Sequence, residues 1–223
     1  MSTPTIFVLS TQTLPDVLVD AAAASGVQLD AMAFIRTESL AVGDIPSGPV
    51  IALFTSQHAV EALPGIGPDW TIYCIEGATR KLVERRFGKG IVTGTAFSAG
   101  ELADTIIQSG SGKRVVFFCG DNRLDELPFR LRTAGFTVEE RIVYQTVQTP
   151  QRLERDYDGI AFFSPSGVDS FFSANPVRER TTYFAIGRTT AAAVAARTGR
   201  VALVSSLPDK EVLIREMIAH FIL

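Results

Sequence analysis

The chain has 223 residues, of which 46% are hydrophobic and 20% charged, and its formal net charge is −3 at pH 7. This length fits one large or two small domains, and the charge excludes the basic field that favours nucleic-acid binding. No apolar run is long enough to span a bilayer and the N-terminus lacks the pattern of a secretion signal, so we expect a cytoplasmic protein.

Short apolar runs alternate with longer amphipathic runs along the chain. This alternation predicts βαβ units and hence parallel, doubly wound sheets covered by helices. The predicted strands are Thr5–Leu9, Asp30–Ile35, Val50–Phe54, Ile72–Ile75, Gly90–Thr93, Arg114–Phe118, Thr137–Tyr144, Gly159–Phe163, Tyr183–Ile186 and Val201–Val204. The predicted helices include Ala78–Phe87, Ala99–Ser109, Leu124–Ala134, Thr189–Arg197 and Asp209–Phe221.

Two segments of the chain repeat at a nearly constant offset. Val50–Val60 resembles Asp158–Val168, and Tyr73–Thr79 resembles Tyr183–Thr189. Such self-similarity indicates one structural unit that is used twice. We therefore expect two related domains with a binding site at their interface.

The N-terminal segment repeats in a permuted position. Leu9–Thr11 resembles Phe118–Gly120, and Gly26–Asp30 resembles Gly135–Glu139. The first strand–helix–strand unit therefore matches the end of the middle block rather than its beginning.

If both units are complete, the N-terminal piece must complete the C-terminal half. This predicts a discontinuous α/β domain of residues 1–37 and 147–223 and an inserted α/β domain of residues 38–146, each with five strands. A tandem pair of simpler halves is the alternative.

Turns rich in hydroxyl groups follow the strands of both repeats. Ligands of doubly wound sheets bind at the carboxyl ends of strands, where Ser and Thr cap helices and free backbone N–H groups bind anions. Four such turns, two per domain, are expected to face a cleft and to bind a carboxylate-rich ligand, although a single Ser or Thr more often only caps its helix. The candidates are Thr55 and Ser56, Gly77 and Thr79, Ser164, Ser166 and Gly167, and Gly187, Thr189 and Thr190.

Few ionisable side chains lie near the predicted strand ends. Arg123 is the best candidate cation for a carboxylate, although such a residue is more often a solvated surface charge. Tyr144 ends a strand at a domain crossing and can deliver a proton, although a tyrosine there is more often a packing residue. His58 is the other conceivable acid, but its place at a helix start favours the neutral imidazole.

The cysteines and histidines do not form a recognised metal motif. Cys74 and Cys119 lie in apolar runs without a CxxC neighbour, which predicts buried, reduced thiols. The two histidines, His58 and His220, are too few for a site with known ligand spacing.

Four motifs, in this order and over nearly the full chain, resemble the uroporphyrinogen-III synthase family: Gly120–Leu127, Val143–Thr146, Phe163–Gly167 and Ala185–Thr190. The resemblance implies two flavodoxin-like domains joined by a two-strand linker, with the substrate in the cleft. The implied reaction belongs to haem biosynthesis: hydroxymethylbilane, a linear tetrapyrrole with eight carboxylates, loses water, inverts ring D and closes to uroporphyrinogen III. The resemblance implies no cofactor or metal. The charge and the absence of a long apolar run predict no nucleic-acid or membrane partner, and a monomer is expected.

Carried onto this chain, the resemblance makes Tyr144 the proposed acid that helps the hydroxyl leave and places the four turns named above on the substrate. Two positions depart from the family pattern. Relatives often have Thr-Arg-Pro where this chain has Ser10–Pro15, and an Asn is common at the position of His58. A non-enzymatic binder of a small polyanion and an inactive regulatory relative are the alternatives.

Overall fold

The computed structural model describes residues 5–110 and 112–222. Its contacts divide the chain into two compact units: Met1–Arg36 with Val147–Leu223, called the terminal unit below, and Thr37–Thr146, called the middle unit. The chain therefore passes between the units twice. The first boundary lies between residues 36 and 37, one residue before the predicted boundary between 37 and 38. The second boundary lies between residues 146 and 147 in both.

The described chain folds into alternating strands and helices, as the hydrophobic pattern predicts. In chain order the elements are β1 (Ile6–Ser10), α1 (Asp16–Ala24), β2 (Val27–Ala31), β3 (Ile35–Ser39), β4 (Val50–Phe54), α2 (Gln57–Ala62), β5 (Trp70–Ile75), α3 (Ala78–Phe87), β6 (Val92–Ala96), α4 (Ala99–Gln108), β7 (Arg114–Gly120), α5 (Glu126–Thr133), β8 (Thr137–Gln148), β9 (Gly159–Phe162), α6 (Pro165–Ala174), β10 (Thr182–Ala185), α7 (Arg188–Thr198), β11 (Leu203–Val204) and α8 (Lys210–Ile222).

The described residues of each unit form one sheet. The terminal unit has the strand order β2–β1–β9–β10–β11, and the middle unit has the order β8–β7–β4–β5–β6 with β3 outside β8. If β7 and β8 take the places of β1 and β2, the two five-strand orders are identical. This is the flavodoxin-like order, and its permuted form is consistent with the order of the sequence repeats.

Several predicted strands differ from the observed ones in their bounds, and two of these differences have a clear physical reason. The predicted strand Asp30–Ile35 is two strands, β2 and β3, because the chain turns between them at residues 32–34. Each end of this turn is tied by a backbone hydrogen bond, from Met32 to Ser10 and from Phe34 to Thr11. The predicted strand Gly90–Thr93 lies two residues later, since Gly90 has a positive φ of 76° and ends the preceding turn.

Helices cover both faces of each sheet, so the central strands are buried on both sides. Along β4, Val50, Ala52 and Phe54 pack against α2 and α3, whereas Ile51 and Leu53 pack against α4 and α5. Continuous apolar strands of this kind are typical of parallel sheets with two covered faces. In the described part of the chain, no helix is both long and apolar enough to cross a bilayer.

Candidate functional site

In both units the predicted site residues gather at the edge where the parallel strands end. In the middle unit, the side chains after β4 line an open depression with the start of α3. Thr55 and Ser56 are half-buried there, and Thr79 is buried. The depression is lined by Thr55, Ser56, Gln57, His58, Glu61 and Thr79.

Ser56 caps α2, as its position predicts. Its Oγ accepts a hydrogen bond from the backbone N–H of His58 at 3.2 Å. This helix has only six residues, so its dipole is small and the hydroxyl groups are the main polar feature of the turn.

Tyr144 lies on β8 directly opposite Gly120 of β7, where the register shifts. A Cβ atom on Gly120 would lie 2.4 Å from Cε2 and 2.9 Å from the hydroxyl oxygen of Tyr144. The phenol therefore occupies the space that any other residue at 120 would fill. On another side, the ring centroid of His58 is 5.5 Å away at an interplanar angle of 56°, so Tyr144 adjoins the depression.

Asp121 holds the backbone of β8 at Tyr144 through two hydrogen bonds. Its N–H donates to the carbonyl of Tyr144 at 3.2 Å, and its Oδ1 accepts from the N–H of Thr146 at 3.0 Å. The strand is thus held at Tyr144 itself and two residues further along.

Gly77, expected to present its N–H to a ligand, instead binds a carboxylate of this chain. Oε1 of Glu76 accepts from the Gly77 N–H at 3.2 Å, and Oε2 accepts from Thr95 Oγ1 at 2.7 Å and from Arg80 at 3.1 Å. These bonds, that of Thr95 first, hold the pKa of Glu76 below its ordinary value. Glu76 therefore occupies the anion position of the turn.

Arg123 is half-buried and engaged with two acidic side chains of the middle unit. Its Nε donates to Glu140, and its Nη1 donates to Asp125 at 2.6 Å. Arg132 also binds Glu140. The expected substrate cation is therefore part of an ion-pair network that holds the segment after β7 against β8.

In the terminal unit, the turn after β9 begins α6 as predicted. Ser164 caps the helix by accepting from the N–H of Gly167 at 3.1 Å, and its Oγ lies 3.2 Å from that of Ser166. Gly167 is buried, and a Cβ there would lie 3.3 Å from Ser164 Oγ. The two serines thus present adjacent hydroxyl groups at a helix start.

The turn after β10 is the other candidate of the terminal unit. Gly187 begins the 11-residue helix α7 without a side-chain cap, so first-turn N–H groups lack that partner. Gly187 has an extended φ of −169°, and a Cβ would meet nothing within 4 Å. Neither strain nor crowding requires glycine here. Thr189 is exposed and Thr190 is buried.

Thr11, in the segment that follows β1, has a structural role. Thr11 is buried, and both its N–H and its Oγ1 donate to the carbonyl of Ala161, at 3.0 and 2.8 Å. The hydroxyl thereby extends the pairing of β1 with β9 instead of facing a ligand.

The cysteines are buried free thiols, as predicted. Burial raises the pKa of Cys74 to about 12 and that of Cys119 to about 11, so neither is a reactive thiolate at neutral pH. They pack on opposite faces of the sheet. Among residues 5–110 and 112–222, no cluster of three or more His, Cys, Asp and Glu side chains is arranged to hold a metal ion.

The sequence analysis gave no role to Glu76, or to Gly120 and Asp121 within the motif Gly120–Leu127. Comparison of the two repeats could have found Glu76. It aligns with the apolar Ile186 of the other unit, so a charged residue there stands out from its counterpart. No such signal marks Gly120, because its contact with Tyr144 depends on the register shift between β7 and β8.

Comparison with known proteins finds a matching family model and similar solved structures. The family model described as uroporphyrinogen-III synthase HemD matches residues 16–215. Uroporphyrinogen-III synthetase from Helicobacter pylori superposes with a TM-score of 0.72 at 16% identity, covering 96% of this chain and 99% of that one. A mutant uroporphyrinogen III synthase from Thermus thermophilus gives a TM-score of 0.65 at 15% identity, covering 96% and 98%.

Replacing Glu76 by Gln tests its place in the turn after β5. A carboxyl whose pKa is depressed by folding stabilises the native state above its unfolded pKa and loses this contribution as the pH falls through the folded value. We therefore expect Glu76→Gln to lower the free energy of unfolding at pH 7, and the difference from wild type to shrink as the pH falls below 4. Urea denaturation at several pH values measures it.

Glu179→Gln, an exposed glutamate of the terminal unit, is the matched control. An equal loss of stability by Glu76→Gln at pH 7 and at pH 3 would show that the carboxylate charge has no role in this turn.

Proposed function

We propose a cyclising dehydration for this chain, which belongs to the uroporphyrinogen-III synthase family. The reaction converts hydroxymethylbilane into uroporphyrinogen III with loss of water and inversion of ring D, a step of haem biosynthesis. The observation that carries this proposal is the family match over residues 16–215, which covers most of both units. The site geometry described above supports it.

The terminal unit offers the better carboxylate-binding turns. Ser164 and Ser166 place two hydroxyl groups 3.2 Å apart, and α7 begins with N–H groups that no side chain caps. Gly187 has no side chain, and no protein atom lies within 4 Å of the place where its Cβ would be. A ligand can therefore approach the backbone closely at this position. We infer that Ser164, Ser166, Gly167, Gly187, Thr189 and Thr190 bind acidic groups of the bilane.

The middle unit binds the substrate differently. Thr55, Ser56 and Thr79 offer hydroxyl groups around the open depression, whereas the N–H of Gly77 is bound by Glu76. Gly77 therefore shapes the turn through its φ of 93°, and any direct contact with a substrate carboxylate requires Glu76 to move. The charge of Arg123 is already shared with two carboxylates, so its main effect is to order the segment beside Tyr144.

Tyr144 is the proton donor in this proposal. Departure of the substrate hydroxyl requires a proton, which a phenol at the rim of the depression can supply. A phenol is a weak acid at neutral pH. The larger contribution must therefore come from holding the flexible bilane in one folded shape, which lowers the entropic part of the barrier to the inverted product.

We also propose that the protein acts as a monomer in the cytoplasm and binds no nucleic acid. Two buried free thiols support a reducing compartment, and the net charge of −3 supports the absence of a nucleic-acid partner.

An isomer assay tests the function directly. The protein is incubated with freshly made hydroxymethylbilane, the product is oxidised, and isomers I and III are separated by chromatography. We expect isomer III in excess over the protein-free sample, in which the bilane closes without inversion. An isomer mixture equal to that of the protein-free sample would reject the enzyme and leave a binder or an inactive relative.

Substitution of Thr189 by Val tests binding at the start of α7. Loss of one hydroxyl that bonds to a carboxylate should raise KM about tenfold while kcat changes little, because the contact is made equally in the ground state and the transition state. Thr133→Val, which removes an exposed hydroxyl on α5, is the matched control. A KM equal to that of wild type removes this turn from the substrate site.

Tyr144→Phe and Gly120→Ala form a double-mutant cycle. We expect Tyr144→Phe to lower kcat by about tenfold to a few hundredfold, the modest end of general-acid catalysis. Gly120→Ala should lower kcat at least about tenfold, since its Cβ displaces the ring that carries the hydroxyl. In the Tyr144→Phe background, Gly120→Ala should lower kcat little further.

Gly65→Ala is the matched control, because a Cβ there meets nothing within 4 Å. Equal losses from Gly120→Ala in both backgrounds would mean that residue 120 acts independently of the phenol. Circular dichroism checks that each variant is folded.

A further inference from the structure

A cavity of about 130 Å³ lies in the terminal unit, at the edge of the sheet where β9 and β10 begin. Most of its lining comes from residues 152–157, before β9, and 175–181, before β10. The turns proposed to bind the substrate follow the same two strands and therefore lie at their other ends. We propose that this cavity is a separate ligand site that binds a flat organic anion of the size of benzoate. The site does not depend on the function proposed above.

Much of the buried lining of the cavity is apolar or aromatic. Ile160, Phe171 and Tyr183 all line it, and each is only 2% exposed. An apolar cavity of about 150 Å³ holds benzene, so this volume suits one aromatic ring or a body of similar size. Aromatic walls favour a flat ligand, which can stack on them or meet them edge to face.

The charged side chains of the lining are exposed and mostly positive. They are Arg152, Arg155 and Arg178, with the single carboxylate Asp156. Asp156 pairs with Arg178 at 3.0 Å, and the guanidinium of Arg155 lies 4.8 Å from the ring centroid of Phe7. Among residues 5–110 and 112–222, no carboxylate pairs with Arg152 or Arg155. A ligand carboxylate can therefore supply the partner that these two cations lack in the protein.

Buried polar side chains hold the two lining segments in place. Oδ1 of Asn175 accepts from the N–H of Leu153 at 2.9 Å, and its Nδ2 donates to the carbonyl of Gln151 at 2.8 Å. The hydroxyl of Tyr183 accepts from the N–H of Arg178 at 3.2 Å. These bonds order the walls through the protein's own contacts, so that ligand binding need not spend affinity on ordering them.

The middle unit has an aromatic ring at the corresponding position. Trp70 of β5 pairs with Val50, which the repeat aligns with Asp158. Continuing the register of β9 and β10 back by one residue places Thr181 opposite Asp158. Trp70 Nε1 and Thr181 Oγ1 each donate to a backbone carbonyl 24 residues earlier in the chain, at 3.1 and 2.7 Å.

The two repeats therefore keep this hydrogen bond but differ in the size of its donor. In the middle unit the indole of Trp70 is buried, at 7% exposed. In the terminal unit the much smaller Thr181 lines the cavity. The same frame thus accommodates an aromatic ring of the protein in one unit and has room for an aromatic ring of a ligand in the other.

Titration of 15N-labelled protein with benzoate tests the proposal. We expect saturable shifts of the amide signals of residues 151–157 and 175–183, with a Kd on the order of 1 mM or tighter for a ligand of this size. Benzamide has the same shape without the charge, and inorganic phosphate has charge without the ring. At constant ionic strength each should bind at least about tenfold more weakly than benzoate.

Three variants locate the site. Arg152→Gln should weaken benzoate binding about tenfold, because one charge-assisted hydrogen bond is lost. Arg180→Gln is the matched control, since it removes the same charge from an exposed arginine that does not line the cavity, and it should leave the Kd unchanged. Thr181→Trp introduces the indole of the other repeat and should abolish binding. Circular dichroism checks that each variant is folded, and if Thr181→Trp does not fold, the two arginine variants decide.

The outcomes are distinct. Benzoate binding that Arg152→Gln weakens and Arg180→Gln does not supports the site. No saturable shift at about tenfold the expected Kd, equal losses from the two arginine variants, or equal affinity for benzamide or phosphate would overturn it. Shifts confined to residues 164–167 and 187–190 would place the anion in the turns of the proposed substrate site, which also overturns it. The isomer assay decides the proposed function separately, whichever result is found here.

Discussion

Parallel pairing of strands that are apolar on both faces is the constraint on which this architecture depends. Such strands require helices on each side, and every connection must therefore return to the same starting edge of its sheet. The strands that pair in parallel, β1, β2 and β9 to β11 in one unit and β4 to β8 in the other, then end together. The turns that carry Ser56, Ser164 and Gly187 lie at those ends, so the packing of the core decides where the hydroxyl and amide groups collect.

The two repeats have diverged at equivalent turns. In the turn after β5, Glu76 lies before a glycine with positive φ and binds its N–H, whereas the turn after β10 has Ile186 before an extended, uncapped Gly187. One turn is therefore closed by its own carboxylate and the other is open to an acidic ligand. Equivalent turns of the two units therefore differ in whether the protein's own carboxylate binds the glycine N–H.

Periodicity and repetition in the sequence predicted most of the fold. β4 matches its predicted bounds, and the capping roles of Ser56 and Ser164 follow from hydroxyls placed just after apolar strands, where the helices begin. The errors occurred where tertiary hydrogen bonds decide, as at the turn between β2 and β3. The surroundings of Tyr144 could not be predicted, because a one-residue register shift and a missing Cβ on the adjacent strand define them.

The close fit between Gly120 and Tyr144 makes these two positions interdependent in any redesign of the chain. A methyl group at 120 and an aromatic ring at 144 compete for one volume, so enlarging the first demands shrinking the second. Libraries that vary one position alone will mostly sample misfit pairs. Varying both together opens a route to smaller donors at 144, with the vacated space refilled from the opposite strand.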